Sequence, residues 1–208
     1  TTTPRLLISN GHTATRTVPS RMLPSESGVW PEAAMVEHDF VENLFVAELH
    51  QLARSFTRRT YYTERDIVFT LQTRLTEALR HREPSVQVFN DYKLLPTARA
   101  DLVVVDESQH FPAVLAVEFK YEPDRRRQDI PAGKFPVTSW TEITKDIARA
   151  EVFVVEERAR VGYAVLIDED GRYRDRAHPA FGQMIAMGRP DTAGGSAACW
   201  VQRFSSVG

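Results

Sequence analysis

A single cysteine, Cys199, occurs in 208 residues. No intramolecular disulfide and no zinc-thiolate cluster can be built from it, and such usage points to a reducing compartment, the cytoplasm. Long hydrophobic runs are missing as well. The longest, such as residues 113–117 and 163–167, fall far below the roughly 20 residues a membrane-spanning helix needs, so no membrane partner is expected. Residues 1–10 hold no basic cluster leading into an apolar stretch, and a signal peptide is not expected. Excess charge of either sign is absent, with 26 Lys+Arg against 28 Asp+Glu and a formal charge of -2. That excludes a protein that coats polyanions by bulk basicity, and any such partner must be held by local groups. With 42% hydrophobic and 26% charged residues, and Gly 10 and Pro 12 spread along the chain, neither the disordered nor the collagen-like class fits. One core of ordinary size is the expectation.

Familiar catalytic signatures are equally scarce. The six histidines, His12, His38, His50, His81, His110 and His178, show neither H-x-x-x-H nor H-E-x-x-H spacing, which argues against a histidine zinc site. Gly133-Lys134 lacks the upstream glycine of a phosphate-binding loop, and Gly194-Gly195-Ser196 lacks the nucleophile-elbow pattern. Cys199 lies beside Trp200 in an apolar run and reads as packing.

What is present is a change of hydrophobic period along the chain. Residues 1–34 are punctuated by Pro4, Gly11, Pro19, Pro24, Gly28 and Pro31 and read as an irregular arm ahead of a single domain at 35–208. Val36, Phe40, Leu44, Phe45, Leu49, Leu52 and Phe56 keep helical spacing and predict a first helix over 35–56. Thr63 and Asp66 form an acidic capping box, and Ile67, Val68, Leu71, Leu75 and Leu79 line one face of a second helix that stops before Pro84. Extended runs follow, with Val86, Val88 and Tyr92 ahead of Pro96, then residues 100–106 and 113–121; these read as three strands. Ser139 and Glu142 cap a third helix carrying Trp140, Ile143, Ile147, Ala150 and Val154. Residues 161–168 read as a buried strand ended by Asp170-Gly171, whereas 181–187 and 198–204 are ambiguous. The pattern is α/β, a mixed sheet flanked by helices with an N-terminal helical extension.

The chemistry sits on the second and third strands. Ala113, Leu115, Val117, Phe119 and Tyr121 share one strand face, and Val114, Ala116, Glu118 and Lys120 share the other, so one face is core and the other turns charged. The short loop at 107–112 makes an antiparallel hairpin the simplest connection. With Asp106 opposite Ala113, Asp101 stands opposite Glu118; a slip of two residues sets it opposite Lys120, and the cluster survives. Two carboxylates that close repel unless a cation lies between them, and a divalent metal answers that need. Mg²⁺ takes a few carboxylates plus water and leaves positions for phosphate oxygens, which suits phosphodiester hydrolysis. Lys120 would orient or deprotonate the attacking water and offset charge on phosphorus. A cross-strand Asp/Glu/Lys ion-pair patch on a solvated sheet face accounts for the same residues.

The stretch Arg99-Ala100-Asp101-Leu102-Val103-Val104-Val105-Asp106, followed by Ala116-Val117-Glu118-Phe119-Lys120, resembles the core of the PD-(D/E)XK phosphodiesterase superfamily, the restriction-endonuclease-like fold. The resemblance covers about residues 63–168 and implies an order of helix, three strands, helix and strand. It implies that Asp101 and Glu118 bind Mg²⁺, with Mn²⁺ a substitute, and that Lys120 assists the water. A further metal-binding Glu from the first core helix would be Glu64, which continues the apolar stripe of Ile67 and Val68; a first-turn acid favoured by the helix dipole is the alternative. The family's Pro before the Asp is here Ala100.

Arg125, Arg126 and Arg127 follow Lys120 within a few residues, and an acidic centre flanked by arginines suits a polyanionic substrate held by its phosphates. The loop over 121–137, with Gly133 and Lys134, reads as a substrate-contacting flap, and Lys145 and Arg149 of the third helix lie within reach of the site or the substrate backbone. The expected function is a Mg²⁺-dependent endonuclease acting on nucleic acid, DNA ahead of RNA, with a homodimer favoured if both strands of a duplex are cut. The alternative is a nuclease-like domain that binds nucleic acid or a protein partner without cleavage.

Overall fold

Each period change along the chain becomes an element boundary in the computed structural model, which describes residues 32–56, 61–108, 113–136, 138–188 and 197–205. The arm at 1–34 lies outside these residues except for 32–34, which open helix α1, Glu32–Ser55. Helix α2, Glu64–Leu79, starts where expected: the Asp66 carboxylate accepts the backbone N–H groups of Tyr62 and Thr63 at 3.0 and 2.9 Å, satisfying donors that a helix start leaves orphaned. Strands β1 (Val86–Leu95), β2 (Ala98–Asp106) and β3 (Leu115–Glu122) follow, then α3 (Trp140–Val155), β4 (Val161–Asp168), α4 (Arg174–Ala180), β5 (Gln183–Ala186) and β6 (Ala198–Ser205). Ser139 Oγ caps α3 by accepting the Glu142 N–H at 3.2 Å.

The six strands form one mixed sheet in the order β1-β2-β3-β4-β6-β5. β3 and β4 are parallel and the other neighbours antiparallel. A parallel pair needs a crossover, and α3 supplies it. All eight residues of β4 are buried, as a central strand covered on both faces requires.

Helices α1 and α2 cover one face. Phe45, Leu49, Leu52, Leu71 and Leu75 pack there against Leu102, Leu115, Val117, Phe119, Val165 and Ile167. Helix α3 covers the other, where Ile143 and Ala150 meet Ala164, Leu166 and Trp200, and Phe153 meets Val103 and Ala116. The face of β3 carrying Glu118 and Lys120 is therefore roofed by a helix rather than solvated. Ala113 precedes the strand and packs in the cluster of Ala116, not beside Leu115. The roof sits close: a Cβ on Gly162 of β4 would lie 2.4 Å from the Ala150 carbonyl oxygen, so only glycine lets α3 dock at this depth. Among the described residues no helix is long and apolar enough to cross a membrane.

Candidate functional site

The β2–β3 ladder is short. Leu102 pairs with Val117, Val103 with Ala116 and Val104 with Leu115, the register expected from the sequence, and it sets Asp101 opposite Glu118. Beyond Leu102 the strands part, and the Asp101 carboxylate accepts the Phe119 N–H at 2.7 Å. A side chain thus takes a backbone donor of β3 that the ladder no longer reaches.

Glu118 and Lys120 project from the parting strand toward α3. The Arg149 guanidinium donates to Glu118 Oε2 at 2.8 Å and lies 3.4 Å from Asp146 Oδ1. Lys120 Nζ stands 3.0 Å from Asp146 Oδ2 and 3.4 Å from Glu64 Oε2. Glu64, in the first turn of α2, joins the group through the gap between the strands. Four carboxyl groups, Glu64, Asp101, Glu118 and Asp146, therefore share two cations, Lys120 and Arg149.

Charge is scarce for that many acids in a buried place. Glu118 is 1% exposed, and its carboxyl is pushed up to about 9, first by burial and then by Asp101, against the pull of Arg149. Burial also raises Glu64 to about 7, opposed chiefly by Lys120. Asp101 is raised by burial, with the Phe119 N–H acting against it. Burial disfavours the Lys120 ammonium, but Glu64 and Asp146 outweigh it and hold the amine above its usual range. Glu118 Oε1 is buried without a hydrogen-bond partner, the situation in which a native acceptor calls for an ion or water.

A hard divalent cation fits this donor set. Mg²⁺ accepts one or two carboxylates and completes its shell with water and phosphate oxygens, and Asp101 and Glu118 face each other with one acceptor unused. Among the described residues, no group of three or more His, Cys, Asp or Glu side chains is placed to hold a metal ion. Beside the carboxyls a cleft of about 280 Å³ is lined by Glu64, Arg65, Val68, Asn90, Asp91 and Asp101. Its far wall is the irregular part of β1, where Asp91 has φ of 47° and Asn90 donates to Gln72 of α2 at 2.9 Å.

The remaining sequence candidates lie in different settings. Lys145 pairs with Glu142 at 2.8 Å on the exposed side of α3. Lys134 is exposed at the end of a short 3-10 turn, Ala132–Lys134. Arg125 binds Glu122 at 2.9 Å and the Pro136 carbonyl at 2.9 Å, and Arg126 holds Asp124 with two contacts at 2.9 Å. Arg127 is structural: it donates to the Tyr61 carbonyl, the Tyr121 hydroxyl and Glu169 at 2.7, 2.9 and 3.2 Å, and binds Asp129 at 2.7 Å. These arginines answer the buried acids Glu122, Asp124 and Glu169, a polyanion built into the chain.

Asp146 is the site residue that the strand motif did not reveal. A signal for it existed: Asp146 lies three residues after Ile143 and four before Ala150, so it interrupts the buried stripe of α3, and an acid on an apolar stripe needs a cation facing it. Comparisons with protein-family models, with curated proteins and with solved structures find no match for this chain.

Proposed function

We propose that the chain is a metal-dependent nuclease of the PD-(D/E)XK type, hydrolysing phosphodiester bonds of DNA. One observation supports the reading: Asp101 and Glu118 stand opposite each other where β2 and β3 part, with Lys120 two residues further along β3 and Glu118 Oε1 buried without a partner. Asp101 and Glu118 would hold Mg²⁺ or Mn²⁺, with Glu64 near enough to join through water. The ion supplies Lewis acidity at the scissile phosphate. Lys120, kept charged by Glu64 and Asp146, donates to the attacking water or to a phosphate oxygen and offsets charge developing on phosphorus. Arg149 and Asp146 position: the first orients Glu118 and the second aims Lys120, in the manner of outer-shell partners around a metal site. The open cleft at Glu64 and Asp101 leaves room for a phosphate and its neighbours.

The test is incubation of the purified chain with plasmid, single-stranded DNA and RNA in Mg²⁺, Mn²⁺ or EDTA, with Lys120→Ala in parallel. Cleavage is expected with metal and is lost in EDTA and in the variant. Absence of cleavage with every polymer and metal overturns the proposal in favour of binding without hydrolysis.

A further inference from the structure

The two exposed Tyr, Phe or Trp side chains among the described residues, Tyr62 at 45% and Phe69 at 62%, line one cleft beside α2. This second cleft is open, of about 500 Å³, and is lined as well by Tyr61, Arg65, Asp66 and Thr70. Arg65 lines this cleft and also the one that opens onto Glu64 and Asp101, so the aromatic surface runs directly into the carboxyl site. Arg65 and Phe69 are four residues apart on the helix, which puts them side by side on its surface. Tyr62 sits just before the helix cap.

The Tyr62 ring is mounted rather than loose. Tyr62 is anchored through its backbone N–H on Asp66 at 3.0 Å, and the Arg127 guanidinium lies 5.5 Å from its ring centroid. Arg127 is itself fixed by Tyr61, Tyr121, Asp129 and Glu169. Arg65 is exposed and makes no ion pair among the described residues. Two ring faces with a free cation beside a phosphate-sized acidic cleft have the composition of a base-stacking platform. A protein-binding hot spot needs a wide surrounding surface, about 800 Å² per partner. Here the two rings share the cleft with Tyr61, Arg65, Asp66 and Thr70, and the other exposed large apolar side chains, Val152, Val155 and Met184, belong to α3 and β5.

Resting on the nuclease reading, we infer that Tyr62 and Phe69 stack unpaired bases next to the scissile phosphate and that Arg65 holds the adjoining phosphate. The substrate class is then single-stranded nucleic acid, or a duplex with frayed, flapped or flipped bases at the cut. Stacking is sequence-tolerant because every base has a π face.

Fluorescence anisotropy in EDTA, where no hydrolysis occurs, tests this with a short labelled oligothymidylate, an abasic strand of equal length and a blunt duplex. Wild-type protein should bind oligothymidylate more tightly than either comparator. Phe69→Ala and Tyr62→Ala should each weaken that binding about five- to hundredfold, with no effect on the abasic strand. Phe69→Trp should restore it. Both positions are exposed, so unchanged melting temperatures verify the fold. Equal loss on the abasic strand, tightest binding to the duplex, or no binding to any nucleic acid overturns the inference; the last assigns the rings to a protein partner. Ring-dependent binding without metal-dependent cleavage supports the stacking surface while refuting the nuclease. Cleavage that is indifferent to both rings does the reverse.

Discussion

Glu118→Gln should make the metal-free protein more stable at neutral pH. The carboxyl is 1% exposed, one oxygen has no partner, and its folded-state value is about 9 against an ordinary 4.5. A raised acid contributes stability that is fully present below the unfolded value and lost as pH rises through the folded one. At pH 7 the unfolded chain carries an ionised Glu118 and the folded chain a protonated one, so folding must take up a proton. At about 1.4 kcal/mol per pH unit between 4.5 and 7, the cost is about 3 kcal/mol. Glutamine keeps the shape and leaves nothing to protonate. Urea denaturation in EDTA should therefore place Glu118→Gln about 2–3 kcal/mol above wild type at pH 7, a gap that shrinks toward zero near pH 5 and widens toward pH 8. A stability difference that is constant between pH 5 and pH 8, or a variant weaker than wild type throughout, would refute the reasoning. The same substitution should abolish metal-dependent cleavage, setting stability against function at one side chain.

Two more expectations concern the roof over the site. Arg149→Met removes the one hydrogen-bonding partner of Glu118 Oε2; a surface pair would cost at most about 1 kcal/mol, whereas stranding a buried carboxyl should cost about 2–3 kcal/mol. A double-mutant cycle with Glu118→Gln measures it, and a coupling near zero contradicts the buried geometry. Gly162→Ala drives a methyl to within 2.4 Å of the Ala150 carbonyl oxygen, so about 1–3 kcal/mol should be lost. Calorimetry should find the melting temperature lowered by several degrees, and an unchanged value would mean that α3 slides freely.

Local signals were easy to read and non-local ones were not. Both helix caps and the span of β4 follow from Thr63, Ser139 and a continuous apolar run, because each is decided by neighbours in sequence. The register of β2 on β3 was legible because a short loop leaves few alternatives. Helix α4 was not, since it has seven residues and carries Pro179 inside, so packing of Ala177 rather than propensity holds it. The place of β6 between β4 and β5 is a topological fact that no window contains. At the site, the strand motif pointed to Asp101, Glu118 and Lys120, while Asp146 came from another element and needed the roof to be seen. The arginine run at 125–127 reads as a polyanion-binding surface in sequence; the acids that occupy it are its neighbours Glu122, Asp124 and Asp129 together with Glu169, which arrives from 42 residues away.

The hairpin of β2 and β3 closes over a short loop, so Asp101 and Glu118 meet early in any order of assembly that begins with local contacts. Lys120 comes with them, yet the α3 partners of the group do not. Arg149 lies 31 residues beyond Glu118 and arrives only when α3 has crossed over and β4 has aligned beside β3. Until then the nascent hairpin bears a surplus of like charge that pushes its strands apart where they already diverge. Docking of the crossover roofs the sheet and sets Arg149 against Glu118 and Asp146 against Lys120 in one step, so the full constellation exists only in a chain whose central parallel pair is complete.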